Sequence, residues 1–281
     1  MNVGVIGLGL IGGSMALDLR KRGFATKVLG VESESINAEA ALRIGLADCV
    51  LTLEECVAQS DVIVLAIPVG AAGKLLPQVL DMVVGTDKVV IDVCSVKEAM
   101  CQVASGHQAR GQYVATHPMA GTEYSGPWAA MPGLFDGRAC IFCDVEESSP
   151  KAVRLIEKLY DTLNMRVSCM RSDAHDMHVA YVSHISHITS FALALTVLDK
   201  EKDEKHIFDL ASGGFSSTVR LAKSSADMWV PILALNHDNV LRVIDTYIDK
   251  MKEFRTAIDA YDEEKIRALI EEGNKIKRIL R

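Results

Sequence analysis

The stretch Val3-Gly4-Val5-Ile6-Gly7-Leu8-Gly9-Leu10-Ile11-Gly12-Gly13-Ser14 decides the fold. An apolar run that reads as a strand leads into G-x-G-x-x-G, and a helical pattern follows. In that context Gly7 makes a tight turn, Gly9 admits a pyrophosphate to the backbone, and Gly12 lets helix and strand pack closely. Leu10 and Ile11 open the helix, whose N-terminus carries partial positive charge toward a phosphate. Glu32 stands 20 residues after Gly12, at the end of the next apolar run, Val28–Val31. A carboxylate there accepts hydrogen bonds from a ribose 2′-hydroxyl and repels a 2′-phosphate, so NAD is expected over NADP. The alternatives are a glycine-rich turn without a ligand and a solvated surface carboxylate.

Outward from this loop, apolar runs alternate with helical patterns. Asn2–Ile6, Val28–Val31, Val62–Ala66 and Lys88–Asp92 read as strands; Ile11–Arg22 and Ala38–Ile44 read as helices. Uninterrupted apolar strands suit a parallel sheet covered on both faces. The expected fold class is α/β, a Rossmann-type doubly wound sheet. Near Ser172 the pattern changes. Ser172-Asp173-Ala174 is a candidate helix start, and no Pro or Gly intervenes before Leu198. A charged loop is expected at Glu201–Lys205 and a glycine turn at Ser212-Gly213-Gly214. Pro231 is placed in a first helical turn, and Asp262 at the N-cap of a last helix ending in Lys277, Arg278 and Arg281. The expected domains are a nucleotide-binding one over 1–170 and an all-α one over 171–281. A helical domain joined in this way is expected to form a homodimer interface.

Composition narrows the class. The 281 residues are 49% hydrophobic, enough for a sizeable core. There are 30 basic residues against 37 acidic, a net charge of −7, so no nucleic-acid partner is expected. No uncharged apolar run long enough to span a bilayer and no secretory signal are read, so no membrane partner is expected. Seven cysteines, an odd count, suit reduced thiols and a cytoplasmic location. Cys140-Ile141-Phe142-Cys143 lies in a predicted strand, which points the two thiols to opposite faces and argues against a joint redox or metal role.

Polar groups at strand ends face the ligand crevice of an open α/β sheet. Ser95 follows the apolar run ending at Asp92, and His117 follows Tyr113–Thr116. A histidine placed in a loop before Pro118 suits a general base that takes a hydroxyl proton as a hydride leaves. Ser95 would bond the same hydroxyl or orient the imidazole. The alternative for His117 is a loop histidine without a role. His175, His178, His184 and His187 resemble zinc-ligand spacing. On one straight helix His184 lies about 180° from His175, so the four cannot converge and no metal is expected. His184 and His187 then line a cleft or are satisfied core histidines. Arg220 is expected in the first turns of a helix after the glycine turn, against the local dipole, which suits an anionic small-molecule substrate. A surface ion pair is the alternative.

Taken together, these residues resemble the prephenate/arogenate dehydrogenases of tyrosine biosynthesis. The resemblance is carried by Gly7–Ser14 with Ser95-Val96-Lys97, and by His117-Pro118-Met119-Ala120-Gly121-Thr122-Glu123-Tyr124-Ser125-Gly126 with Leu134-Phe135-x-Gly137. In the helical half it is carried by His175-Asp176, Val182–His187, Gly213-Gly214-Phe215 with Arg220, and Met228-Trp229. It implies an NAD(P)-binding domain, an all-α dimerisation domain and an active site between them. It implies oxidative decarboxylation of prephenate to 4-hydroxyphenylpyruvate. His117 would be the base, and Ser95 would bond the ring hydroxyl and His117. Arg220 would pair with a substrate carboxylate, His187 would bind near the substrate's other end, and Thr122 and Glu123 would line the entrance.

Ser186 stands where the family often has proline, so a straighter helix is expected at His187. Neither a regulatory ACT domain nor a fused chorismate mutase is expected. Three other readings stay open: arogenate as substrate, another hydroxy acid, and a catalytically silent NAD-binding module.

Overall fold

The computed structural model describes residues 1–202 and 207–279. The expected charged loop beyond Lys202, and Arg281, lie outside the described residues. The chain opens with β1 (Asn2–Ile6), α1 (Leu10–Lys21), β2 (Lys27–Val31), α2 (Ser35–Arg43), β3 (Cys49–Val50) and α3 (Leu53–Gln59). It continues through β4 (Val62–Leu65), α4 (Val69–Val83), β5 (Val89–Asp92), α5 (Glu98–Ala104) and β6 (Tyr113–Pro118). Strand β7 (Ala139–Cys143), α6 (Pro150–Thr162) and β8 (Arg166–Met170) complete the sheet. Its order is β3-β2-β1-β4-β5-β6-β7-β8. Pairing is parallel from β3 through β6; β7 is antiparallel to β6, and β8 is parallel to β7.

Both faces of the sheet are apolar, as the uninterrupted strands require. Along β4, Val62 and Val64 join the cluster around Met15, Leu19 and Ile156, while Ile63 and Leu65 join the one around Leu76, Leu80 and Met100. The same period-two alternation sends Cys140 and Cys143 to opposite clusters. Strand order reverses between β1 and β4, so the crevice at the carboxyl ends of these strands is the topological switch point.

The helical part comprises α7 (Ser172–Val179), a π turn (Ala180–His184), α8 (Ile185–Glu201), α9 (Gly213–Val219), α10 (Ala226–Leu235), α11 (His237–Asp259) and α12 (Glu263–Gly273). By compactness one unit runs through Asn236 and a second begins at His237. The second is the helix pair α11 and α12, with the Asp262 side chain accepting the Lys265 amide as N-cap.

Several expectations are corrected here. The N-cap position of α7 is Arg171, without a side-chain cap, and the Ser172 amide donates to Asp144 Oδ1 at 2.9 Å. Pro231 is inside α10 rather than in its first turn. The run Ser172–Glu201 is long and apolar enough, by length and composition, to cross a membrane. Its Ser, Thr and His residues break up the apolar letters, but no Asp, Glu, Lys or Arg stands between Asp176 and Asp199.

A buried ion pair braces the loop that carries Ser95 and the strand that carries His117. Lys97 and Asp92 are both fully buried and in contact. Lys97 Nζ also donates to the Thr116 carbonyl at 2.7 Å. Asp92 accepts from the Tyr113 hydroxyl at 2.6 Å and the Cys94 amide at 3.0 Å. Burial, the largest single influence, depresses the Lys97 ammonium, but its neighbours, Asp92 foremost and then Cys94, together raise it above its ordinary value. Removing one partner strands the other's charge. Lys97→Met is expected to cost about 3–5 kcal/mol in urea unfolding. A loss under about 1 kcal/mol, the size of an exposed pair, would contradict this role.

Candidate active site

The glycines of the β1–α1 loop occupy three different environments. Gly7 has φ +95°, and a β-carbon on it would meet the Ala66 carbonyl oxygen at 2.5 Å. A β-carbon on Gly12 would collide with the Gly7 carbonyl oxygen. Both positions are closed by packing. A β-carbon on Gly9 would have nothing nearer than the Gly126 nitrogen, at 4.0 Å. Gly9 is the N-cap of α1 and offers no side chain to its first-turn amides, which begin with Leu10 and Ile11. Glu32, just past β2, accepts from the Leu8 amide at 3.3 Å and the Glu34 amide at 3.3 Å, which holds its carboxylate at the loop. An uncovered helix N-terminus with a carboxylate at the next strand end fits a dinucleotide's pyrophosphate and ribose.

His117 is not in a loop. It lies within β6, only 8% exposed, paired across to Ile141 of β7. Strand pairing continues through Pro118, which lies opposite Cys140, and the Pro118 carbonyl accepts the Ala120 amide at 2.8 Å where the strand ends. His117 Nδ1 lies 2.8 Å from His175 Nε2. Burial above all, with smaller contributions from the neighbouring His175, Lys97 and His184, holds the His117 imidazolium well below the usual histidine range. The ring is therefore neutral at pH 7, with one nitrogen lone pair available to accept a proton. The expected Ser95–His117 hydrogen bond is not formed: among the described residues, half-buried Ser95 makes no side-chain hydrogen bond, and His175 occupies His117 Nδ1.

The straight-helix geometry expected for the histidine run is corrected by the π turn. One extra residue in the turn makes His175 and His184 effectively eight apart, about 80° rather than 180°. Both are fully buried, whereas His178 is exposed and His187 half-buried. The Asn236 amide donates to the Asp176 carbonyl at 2.7 Å and to His184 Nδ1 at 3.2 Å. Burial lowers His184 to about 4, against the pull of Asp176. His187 Nδ1 donates to the Ser183 carbonyl at 3.1 Å, and its ring stacks on Trp229 with centroids 3.6 Å apart. Burial, partly offset by that carbonyl and reinforced by Arg220, lowers His187 as well. His184 Nε2 and Trp229 Nε1 are buried without a hydrogen-bond partner among the described residues.

Arg220 follows the last residue of α9, beyond the first two turns after the glycine pair, and begins a short 3-10 turn, Arg220–Lys223. Its position is set by Ser190, which donates to the Thr218 carbonyl at 3.0 Å and accepts the Ala222 amide at 3.1 Å. Arg220 Nη1 donates to Glu123 Oε2 at 2.8 Å. Glu123's own amide, and then Arg220, hold that carboxyl below the usual range. Thr122 Oγ1 accepts the Tyr124 amide at 3.3 Å. The segment after Thr122 is tied back to α1, where Ser14 Oγ accepts the Met131 amide at 2.9 Å and buried Asp18 accepts the Gly133 amide at 2.9 Å. The sequence reading assigned no role to Asp176, Trp229 or Asn236, although Asp176 directly follows His175.

This arrangement has close counterparts. The family model described as prephenate dehydrogenase, nucleotide-binding domain, matches residues 15–169. The one described as prephenate dehydrogenase, dimerization domain, matches residues 171–272. A prephenate dehydrogenase of Lactococcus lactis subsp. cremoris is 29% identical, over 98% of this chain and 76% of its own length. The crystal structure of prephenate dehydrogenase from Aquifex aeolicus, in complex with hydroxyphenyl propionate and NAD+, superposes with a TM-score of 0.87. It is 27% identical, over 99% of this chain and 97% of its own. A Synechocystis arogenate dehydrogenase structure has a TM-score of 0.77 and is 26% identical, over 99% of both chains. With both of its halves matched, the chain belongs to the prephenate dehydrogenase family.

Proposed function

We propose that this protein catalyses the NAD-dependent oxidative decarboxylation of prephenate to 4-hydroxyphenylpyruvate in tyrosine biosynthesis. The observation that carries this is His117, a buried neutral imidazole on the carboxyl edge of the sheet that bears the dinucleotide loop, in a chain of this family. The division at residue 170, with the nucleotide domain before it and the substrate and dimerisation domain after it, is part of the proposal. The bounds of the two family matches support it.

The roles follow from each residue's chemistry. Gly7, Gly9, Leu10, Ile11 and Gly12 cradle the pyrophosphate, and Glu32 takes the adenine ribose hydroxyls. NAD, when bound, supplies the hydride acceptor. His117 takes the proton of the ring hydroxyl, and Ser95 bonds that hydroxyl and orients it. Loss of the hydroxyl proton and the ring hydride makes a dienone in which the ring carboxylate is that of a vinylogous β-keto acid. The bond to that carboxylate then breaks and CO2 leaves; the bond's electron pair restores the aromatic ring and passes to the ring oxygen, which takes a proton to give the phenol. Arg220 exchanges Glu123 for a substrate carboxylate, and His187, stacked on Trp229, binds the far end of the substrate. Thr122 and Glu123 line the entrance.

The Synechocystis relative favours one second reading, with arogenate as substrate and the same mechanism. A homodimer through the helical domain is supported by the dimerization-domain match and by the apolar helix Ser172–Glu201, whose most apolar window is only 11% buried in the single chain. A cytoplasmic location without nucleic-acid or membrane partners is supported by the net charge of −7 and by free cysteines.

Steady-state assays should show reduced cofactor formed from prephenate and NAD, with NADP much poorer. Turnover with arogenate alone would change the substrate, and no turnover with either would overturn the proposal. His117→Asn is expected to lower kcat roughly 10²–10⁴-fold with NAD binding retained. Arg220→Ala should chiefly raise the prephenate KM, roughly tenfold to a hundredfold. Near-normal kcat in the first, or unchanged KM in the second, would move that role elsewhere. In cell extracts the activity should stay in the membrane-free fraction and sediment at twice the chain's mass. Activity in the membrane pellet or at monomer size would contradict the location or the dimer.

A further inference from the structure

His117 does not stand alone. His175 Nε2 lies 2.8 Å from its Nδ1, and His175 Nδ1 lies 2.7 Å from Asp176 Oδ1. Asp176 accepts two backbone amides as well, Lys97 at 2.8 Å on Oδ1 and Glu98 at 2.9 Å on Oδ2. His175 and Asp176 are each 1% exposed. The two rings meet edge to face, with centroids 5.0 Å apart and planes at 68°.

The direction of each hydrogen bond follows from the fixed end. A carboxylate only accepts. The two amides already point their protons at Asp176, so His175 must donate from Nδ1. A neutral His175 then presents a lone pair at Nε2, and His117 must donate from its own Nδ1. That leaves the lone pair of His117 on Nε2, the nitrogen outside the chain of bonds. An imidazole with the opposite tautomer would present N–H to a substrate hydroxyl and could not take its proton.

We infer that Asp176 and His175 are positioning residues that lock His117 in the tautomer and orientation a base requires. This rests on the reading of His117 as the base. When His117 Nε2 takes the hydroxyl proton, the ring becomes an imidazolium whose Nδ1–H already has an acceptor. No second proton has to move, and the new charge is shared along His175 toward Asp176. Because Asp176 is anchored by the amides of Lys97 and Glu98, the orientation of a sheet residue is set by a helix of the other half of the chain.

The test combines a substitution pair with a measurement on the unaltered protein. His175→Leu removes the acceptor, and His175→Gln keeps an amide oxygen able to replace it. The Leu variant is expected to lose roughly 10–100-fold in kcat with KM for prephenate and for NAD within about twofold, and the Gln variant to recover most of the loss. A merely structural role would not produce this split or the rescue. In the unaltered protein, nitrogen-15 histidine spectra should place the His117 proton on Nδ1, and this holds whether or not the Leu variant folds. A proton on His117 Nε2, or a folded Leu variant with unchanged kcat, overturns the inference. Failure of the unaltered protein to turn over prephenate would instead count against the proposed reaction, and the tautomer result would stand apart from it.

Discussion

The Asp176 carboxylate is the constraint on which the site depends. It is buried, and it is held by the Lys97 and Glu98 amides that follow β5. Its neighbour His175 reaches β6 through His117, and its backbone carbonyl receives Asn236 at the end of α10. One residue thus ties together the strand ends, the start of the long helix and α10. A buried carboxylate tolerates this position only because donors surround it. The same requirement that satisfies the carboxylate fixes where the His117 ring points.

A second buried charge braces the same edge of the sheet. Lys97 joins Asp92 to the Thr116 carbonyl, so the loop bearing Ser95 and the strand bearing His117 are held by one ammonium. On the other side of the switch point, Gly7 is pressed against Ala66, which fixes the dinucleotide loop relative to β4. The loop and His117 are therefore both held from several sides, whereas the guanidinium of the Arg220–Glu123 pair is half exposed. For the proposed reaction, which needs one aligned hydride and one aligned proton, the groups assigned to the chemistry are the more firmly fixed.

The dinucleotide loop and the sheet are legible in the sequence because their signals are local. Gly7, Gly9 and Gly12 are each required within one turn, and strands buried on both faces have no polar alternation to confuse them. His117 and Arg220 are legible as chemical groups, but their settings are not. His117 sits inside β6 because pairing with β7, more than 20 residues away, extends past the point where the apolar letters end. Arg220 comes after α9 instead of in its first turns because α9 begins immediately at the glycine pair. The π turn inserts one residue into a run whose letters carry no mark of it, and it shifts His184 toward the side of His175. Asp176, Trp229 and Asn236 matter through contacts across the fold, which no spacing rule reports.

The central claim is that one site removes a hydride, a hydroxyl proton and a carboxylate from a single ring. The most direct measurement supplies prephenate labelled in its ring carboxylate, with NAD, and counts trapped CO2 against reduced cofactor. The account predicts equal amounts of the two, with 4-hydroxyphenylpyruvate as the organic product. Reduced cofactor without labelled CO2 would mean that the protein oxidises a hydroxyl group by another route and would contradict it.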